Sequence, residues 1–359
     1  MGRIRVLTLT GTPYEMGYQH GRAFYEAIHH FTEERLHLSG DPVWAGRPLT
    51  REAVLRLGQA CLAEHERYSP ILMQELRGMA DATGLGLAEL VIMNGFTDFV
   101  DVVYRQGEAI MPPLPSDNCT AFLVPPGLSA SGQGLYGQTW DMHATATPHV
   151  ILLHGQPQDA PHFLAFTITG CVGMIGMNEA GIAIGINNLT ASDGQIGVTW
   201  PFVIREALRQ DTLEAALACI TGATLAGGHN YLLMDKHGRG YNVEAMSTRC
   251  HVEPLAETAL VHTNHCLIPQ NMDVERARTP ESLASSQARL QRAHDLLAQP
   301  GITPEMLMEL TRDPQAICVR AAPPSYVESC GAVVMTPATG DFRAVWGLPA
   351  ENDYEHFKI

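Results

Sequence analysis

An α+β fold is predicted for this chain of 359 residues, and two changes of period along it carry the prediction. Up to residue 118 apolar side chains recur at helical spacing, whereas from residue 119 they fall in short runs punctuated by glycine. Helical spacing then returns, and the chain closes on two strand-like segments. Strands, then helices, then strands is the order expected of a layered α+β protein.

The elements follow from local signals. Residues 14–35 and 51–67 carry apolar positions at helical spacing, and 70–82 opens with proline at a tolerated first-turn position and stops before Gly84. A short helix at 87–95 follows the Gly84-Leu85-Gly86 break. Residues 107–116 hold three prolines and are the most loop-like stretch of this half. Beyond them 119–124, 135–140, 150–153, 163–167, 172–177 and 182–187 read as strands, with Asn178-Glu179-Ala180-Gly181 as a hairpin turn. Residues 201–210 and 212–220 read as a helix pair. A second hairpin, 231–234 with 241–245, turns at Asp235-Lys236-His237-Gly238. Helices at 285–298 and 304–312 and antiparallel strands at 327–336 and 342–346 complete the chain, which shows no tandem repeat.

Composition narrows the function classes. With 45% hydrophobic and 17% charged residues the chain can bury a sizeable core. Its net charge of −15 speaks against nucleic acid and anionic membrane surfaces as partners. No apolar run is long enough to span a bilayer, and the first residues lack the apolar centre of a secretory signal. Eight cysteines without a C-x-x-C pair read as reduced thiols of a cytoplasmic protein.

Cys119 is the most informative residue. It heads an apolar strand-like run directly behind the proline-rich stretch, a natural processing loop. If the Asn118-Cys119 bond is cut by the cysteine itself, one residue supplies both a thiol nucleophile and an α-amine to activate it. The amine is a plausible base because its ordinary pKa, about 7.7 to 8.0, lies close to that of a thiol.

Further along stand Gly137-Gln138-Thr139-Trp140-Asp141, Gly176-Met177-Asn178-Glu179-Ala180-Gly181 leading into Ile186-Asn187-Asn188, and His262-Thr263-Asn264-His265. Upstream are Tyr14-Glu15-Met16-Gly17-Tyr18-Gln19-His20-Gly21 and Glu75-Leu76-Arg77-Gly78-Met79-Ala80. In this order they resemble the isopenicillin-N acyltransferase-like family of self-processing N-terminal-nucleophile cysteine hydrolases. The resemblance implies a four-layer αββα sandwich. It also implies self-cleavage into a helical N-terminal segment, 1–118, and a catalytic domain, 119–359.

It assigns roles as well. Cys119 becomes nucleophile and base, and Asp141 of G-x-x-x-D orients it or accepts from the new ammonium. Asn264 and one of Asn187 and Asn188 become oxyanion donors, since a side-chain amide donates without changing protonation. Adjacent strand residues face opposite ways, so only one of the two can line the pocket, and spacing from Asn178 favours Asn188. Arg289 matches a family arginine close to the nucleophile, where a cation favours the thiolate. Related cholylglycine-type hydrolases carry an arginine where this chain has Gln138, which removes one positive charge.

Other clusters carry less. His262, His265 and Cys266 lack a second set of metal-ligand spacing, so no metal or cofactor is expected. His20 reads as structural, and neither Gly11-Thr12-Pro13 nor Gly84-Leu85-Gly86 is a phosphate loop. The leading reading is an amidohydrolase of small N-acyl or amide substrates working through an acyl-Cys119 intermediate. Its first alternative is an acyltransferase moving an acyl group from a thioester such as acyl-CoA to an amine. The second is a non-catalytic binding protein on the same fold. The expected partners are the small-molecule substrate and the chain's own cleaved segment, with homo-oligomerisation left open.

Overall fold

The structure is a computed structural model that describes residues 2–107 and 118–359. The proline-rich processing loop expected at 107–116 therefore lies outside the described residues, apart from Gly107. The first half runs β1 (Arg5–Gly11), α1 (Pro13–Ala23), α2 (Tyr25–Gly40), α3 (Pro42–Ala45), α4 (Arg51–Tyr68), α5 (Pro70–Thr83), α6 (Leu87–Asn94) and α7 (Phe96–Tyr104). Next come β2 (Ala121–Val124), β3 (Leu135–His143), β4 (Val150–Pro157), β5 (Phe163–Ile168), β6 (Ile175–Asn178), β7 (Ala183–Leu189), α8 (Trp200–Ala207) and α9 (Leu213–Thr221). The chain continues through β8 (Gly228–Met234), β9 (Gly240–Ala245), β10 (Cys250–Pro254), β11 (Leu260–His262) and α10 (Pro269–Met272). It ends with α11 (Pro280–Leu296), α12 (Pro304–Thr311), β12 (Val327–Thr336), β13 (Asp341–Trp346) and β14 (Glu355–Lys358).

The strands form two sheets, one of eight in the order β1-β4-β5-β6-β7-β8-β9-β10 and one of six in the order β11-β2-β3-β12-β13-β14. Their inner faces meet. Gln138 on β3 donates from Nε2 to the Ile186 carbonyl on β7, and a Cβ on Gly185 would sit 2.2 Å from Gln138 Oε1 and 2.3 Å from the Tyr136 hydroxyl. The outer face of the six-stranded sheet sets Phe122, Val124 and Val334 against Ala293 of α11, Leu297 just after it, and Leu307 and Leu310 of α12. α8 and α9 pack on β7 and β8 of the other sheet, and α1 on β1 and β4. The layers are thus helix, sheet, sheet, helix, the expected αββα sandwich.

Several expectations need correction. The first segment is not wholly helical, because β1 joins the edge of the eight-stranded sheet by pairing in parallel with β4 from Arg5↔Ile151 to Gly11↔Pro157. The helix expected at 14–35 breaks at Phe24, whose backbone (φ −127°, ψ 32°) leaves the helical region, although its N–H still reaches the His20 carbonyl at 3.2 Å. Apolar spacing runs through the break because helices on both sides press on one core. α7, β10, β11 and β14 were not foreseen, and the strand placed at 172–177 begins only at Ile175. The N-terminal segment also shares the core of the rest of the chain. Met16, Phe31 and Leu76 belong to the same buried cluster as Leu152, Ile184 and Trp140.

The two upstream motifs prove to be one packing device. A Cβ on Gly17 would fall 1.7 Å from the Glu75 carbonyl oxygen, and one on Gly78 would fall 2.0 Å from that of Tyr14. Two glycines let α1 and α5 touch backbone to backbone. His20, fully buried, accepts from the Gly170 N–H at 2.9 Å, and burial pulls its pKa down to about 4, so it stays neutral and structural. No helix among the described residues is long and apolar enough to cross a membrane.

Gly185→Ala should destabilise the fold by about 1–3 kcal/mol, since a methyl group there overpacks the contact between the sheets. Urea unfolding would measure it, and an unchanged midpoint would show that the sheets can part to admit a side chain.

Candidate active site

Strand pairing sets where the thiol lies. Thr139 donates its N–H to the Thr120 carbonyl at 2.9 Å, and its hydroxyl accepts from the Thr120 N–H at 3.1 Å, which extends the β2/β3 ladder back to the residue after Cys119. Thr120, Phe122 and Val124 face α11 and α12. Cys119, Ala121 and Leu123 face the inner core. Cys119 is 1% exposed, and its Sγ accepts from the Asp141 N–H at 3.3 Å and lies 3.7 Å from the Asp141 carbonyl oxygen. Asp141, itself buried, thus meets the thiol through its main chain. The hydroxyl of nearby Tyr136 is pushed well above its ordinary pKa by burial, to which the Cys119 thiol adds.

Arg289 on α11 gathers the surrounding groups. Its Nη1 donates to the Cys119 carbonyl at 2.5 Å and to the Thr120 hydroxyl at 3.2 Å, and its Nη2 donates to Asn264 Oδ1 at 3.0 Å. The cation therefore touches the nucleophile's main chain. One turn earlier on the same helix face, Ser286 Oγ accepts from the Asn264 N–H at 3.0 Å. Because arginine only donates, Asn264 Oδ1 must face it, which leaves Nδ2 to reach the Asn188 carbonyl at 3.2 Å with one N–H still to give.

The register of β7 decides between the adjacent asparagines. Asn187 pairs with Asn230 and Asn188 with His229. His229 meets Thr97 and Trp200 in the helical layer, so Asn188 points that way, and the expectation that it lines the pocket is corrected. Asn187 shares the inner face with Gly185, and neither its Oδ1 nor its Nδ2 has a partner among the described residues although the residue is fully buried. A buried amide left without partners is costly and calls for a ligand or a reaction to use it.

Gln138 is occupied as a bridge, donating to Ile186 and accepting from the Tyr136 hydroxyl at 2.6 Å. Asn118 is partly buried just ahead of β2. His262 is fixed at both nitrogens, Nε2 at 3.0 Å from Glu244 Oε1 and Nδ1 at 2.9 Å from the Thr263 carbonyl. Sequence reading missed Glu244. Its carboxylate also accepts from the Leu267 N–H at 2.6 Å and from Asn271 Nδ2 at 3.0 Å, so it anchors the segment that carries Asn264. The one signal was an acid between Val243 and Ala245 in a segment read as a strand, Tyr241 to Ala245. Burial acts to raise its pKa, yet the hydrogen bonds from His262, Asn271 and Leu267 outweigh this and hold it below the usual range.

A small cavity of about 30 Å³ is lined by Arg35, Met93, Phe96, Trp140, Met142 and Trp200 among others. Trp140 and Met142 flank Asp141, on whose main chain the thiol rests.

Comparison with known proteins follows from this geometry. Residues 129–351 match the family model described as acyl-coenzyme A:6-aminopenicillanic acid acyl-transferase. The chain is 25% identical over 319 residues to the acyl-coenzyme A:6-aminopenicillanic-acid-acyltransferase 40 kDa form of Emericella nidulans, covering 87% of this chain and 84% of that protein. Among solved structures, a conjugated bile acid hydrolase variant from Clostridium perfringens is 11% identical, covering 67% of this chain and 97% of its own, with a TM-score of 0.44. The penicillin V acylase of Agrobacterium tumefaciens is 12% identical, covering 67% and 86%, with a TM-score of 0.38.

Glu244 makes a prediction about acid. Its folded pKa lies below the unfolded one, so its stabilising contribution is present above the ordinary glutamate value of about 4.3. The contribution is lost as pH falls through the lower folded value. Urea unfolding at about pH 6 and about pH 3 should show Glu244→Gln much less stable than wild type at the higher pH and closer to it at the lower. A gap independent of pH would mean that the carboxylate charge contributes nothing.

Proposed function

Since the chain belongs to the acyl-coenzyme A:6-aminopenicillanic acid acyl-transferase family, we propose that it is a self-processed cysteine amidohydrolase acting on small N-acyl or amide substrates. One observation carries the reading: the Arg289 guanidinium ties the Cys119 carbonyl to the Asn264 amide, so nucleophile and oxyanion donor are held by one rigid planar group. The Cys119 thiol attacks the Asn118 carbonyl, the peptide nitrogen takes a proton and departs as the new α-amine, and water hydrolyses the resulting thioester. The freed amine then takes the thiol proton as Sγ attacks the substrate carbonyl. Asn264 Nδ2, with its remaining N–H, and the Asn187 amide meet the oxyanion. Collapse expels the substrate's amine, which carries off the proton, and water releases the acid from the acyl-Cys119 thioester.

A second reading keeps the acyl-Cys119 intermediate but forms it from a thioester such as acyl-CoA, which expels its thiol, and ends on an amine. The Emericella relative is named an acyltransferase, so an amine in place of water would accept the acyl group. Which acceptor wins depends on how far the pocket excludes water. We also place the protein in the cytoplasm, on the ground that no disulfide joins any of its eight cysteines.

Intact mass of purified protein should show cleavage between Asn118 and Cys119, and size exclusion should show the two fragments running together, because β1 and α1 to α7 share the core of the remainder. Cys119→Ala should abolish both cutting and turnover. Active protein that remains uncut would sink the proposal.

Asn264→Ala, in processed enzyme, should lower kcat by about 10²- to 10³-fold with a smaller effect on KM. Asn187→Ala should cost a similar factor and Asn188→Ala far less, as the facing of β7 requires. Steady-state kinetics on the three variants would settle it, the reverse order of the neighbours returning the role to Asn188.

A further inference from the structure

Ser286 is a buried hydroxyl on which three consecutive residues of the His262-Thr263-Asn264-His265 motif converge. It sits on α11, fully buried, one turn before Arg289. Its Oγ accepts from the Asn264 N–H at 3.0 Å, lies 2.7 Å from His265 Nδ1 and donates to Thr263 Oγ1 at 2.9 Å. The Thr263 hydroxyl in turn donates to the Ser286 carbonyl at 3.1 Å. A hydroxyl has one proton and two lone pairs, which fixes the roles around Ser286. Thr263 spends its own proton on the Ser286 carbonyl and so accepts the Ser286 proton, leaving both Ser286 lone pairs to the Asn264 N–H and the Nδ1–H of His265. Burial lowers the His265 pKa to about 4, so at neutral pH the ring is uncharged and carries that one proton.

Asn264 is thereby held at both ends. Its side chain is fixed by Arg289 Nη2, which donates to Oδ1 at 3.0 Å, and by the Asn188 carbonyl, which accepts from Nδ2 at 3.2 Å. Its main chain is fixed by Ser286. An amide whose main chain can shift no longer aims its remaining N–H at one place. Ser286 and Arg289 lie three residues apart on α11, and Arg289 also donates to the Cys119 carbonyl, so one helix sets the donor against the nucleophile. Oxyanion stabilisation depends on such fixed donors, since a donor aimed in advance need not reorganise as charge develops.

Building on the amidohydrolase reading and the oxyanion role it gives Asn264, we propose that Ser286 is a positioning residue, whose hydroxyl fixes the main chain of Asn264 and through it the direction of the amide that meets the oxyanion. The motif then works as a clamp: Thr263 and His265 hold the Ser286 hydroxyl, and Ser286 holds Asn264. Ser286 acts on the reaction only through Asn264.

The test is a double-mutant cycle read on acylation alone. p-Nitrophenyl acetate acylates the Cys119 thiol and expels p-nitrophenolate, a step the hydrolase and acyltransferase readings share, and Cys119→Ala supplies the blank for exposed thiols such as Cys250. In processed enzyme Ser286→Ala should slow the burst of p-nitrophenolate by about 10-fold, less than the loss of about 10²- to 10³-fold in Asn264→Ala, because the side-chain contacts of Asn264 persist. Adding Ser286→Ala to Asn264→Ala should cost nothing more, since a residue that acts through an amide has nothing to position once the amide is gone. Ser286→Thr keeps the oxygen and should recover most of the rate. An unchanged burst in Ser286→Ala, the same loss in both backgrounds, or Ser286→Thr no faster than Ser286→Ala would each overturn the assignment. If processed wild type gives no burst above the blank, the nucleophile reading itself falls, and the assignment with it.

Discussion

The two sheets can approach as closely as they do because Gly185 offers no side chain where Gln138 and Tyr136 cross from the opposing sheet. That contact is polar, since Gln138 accepts from the Tyr136 hydroxyl and donates to the Ile186 carbonyl. Hydrogen bonds have fixed geometry where apolar packing tolerates sliding, so this bridge sets β3 against β7 in one register. The thiol and Asn187 each reside on one of those sheets, and their relative placement descends from that one crossing.

Around the thiol the same economy of buried polar groups operates. Arg289 would be expensive to bury alone, and the Cys119 carbonyl, the Thr120 hydroxyl and the Asn264 amide give it three acceptors drawn from two separate stretches of chain. Glu244 anchors the 262–271 segment from the other side. Satisfying these groups orders the site as a by-product. The Asn187 amide is one of the buried groups whose hydrogen-bonding capacity no described residue takes up.

The N-terminal segment also changes meaning once folded. Read alone it is a run of amphipathic helices to be cut away, but β1 extends the large sheet and α1 locks onto α5 through Gly17 and Gly78. Cutting at residue 119 would sever one peptide bond and leave those contacts in place. The segment shares the core of the rest of the chain.

The sequence by itself determined the helical and strand-like stretches, since burial of one face imposes period on both, and it determined Cys119, Asp141, Asn264 and Arg289 as an ordered set of chemically apt residues. Period carries through a break such as Phe24, and short strands such as β10 and β11 hold too few residues to show one, so boundaries were the weaker part. Tertiary structure alone decided that Asn187 and not Asn188 faces inward, because a strand's facing is fixed by its partner's register and Asn187-Asn188 reads the same in either phase. It also fixed which atoms Arg289 meets, the Cys119 carbonyl and the Asn264 amide oxygen, where the resemblance implied only an arginine close to the nucleophile. These pairings join residues far apart in the chain, and only the packing of helices on sheets puts such groups within hydrogen-bond reach.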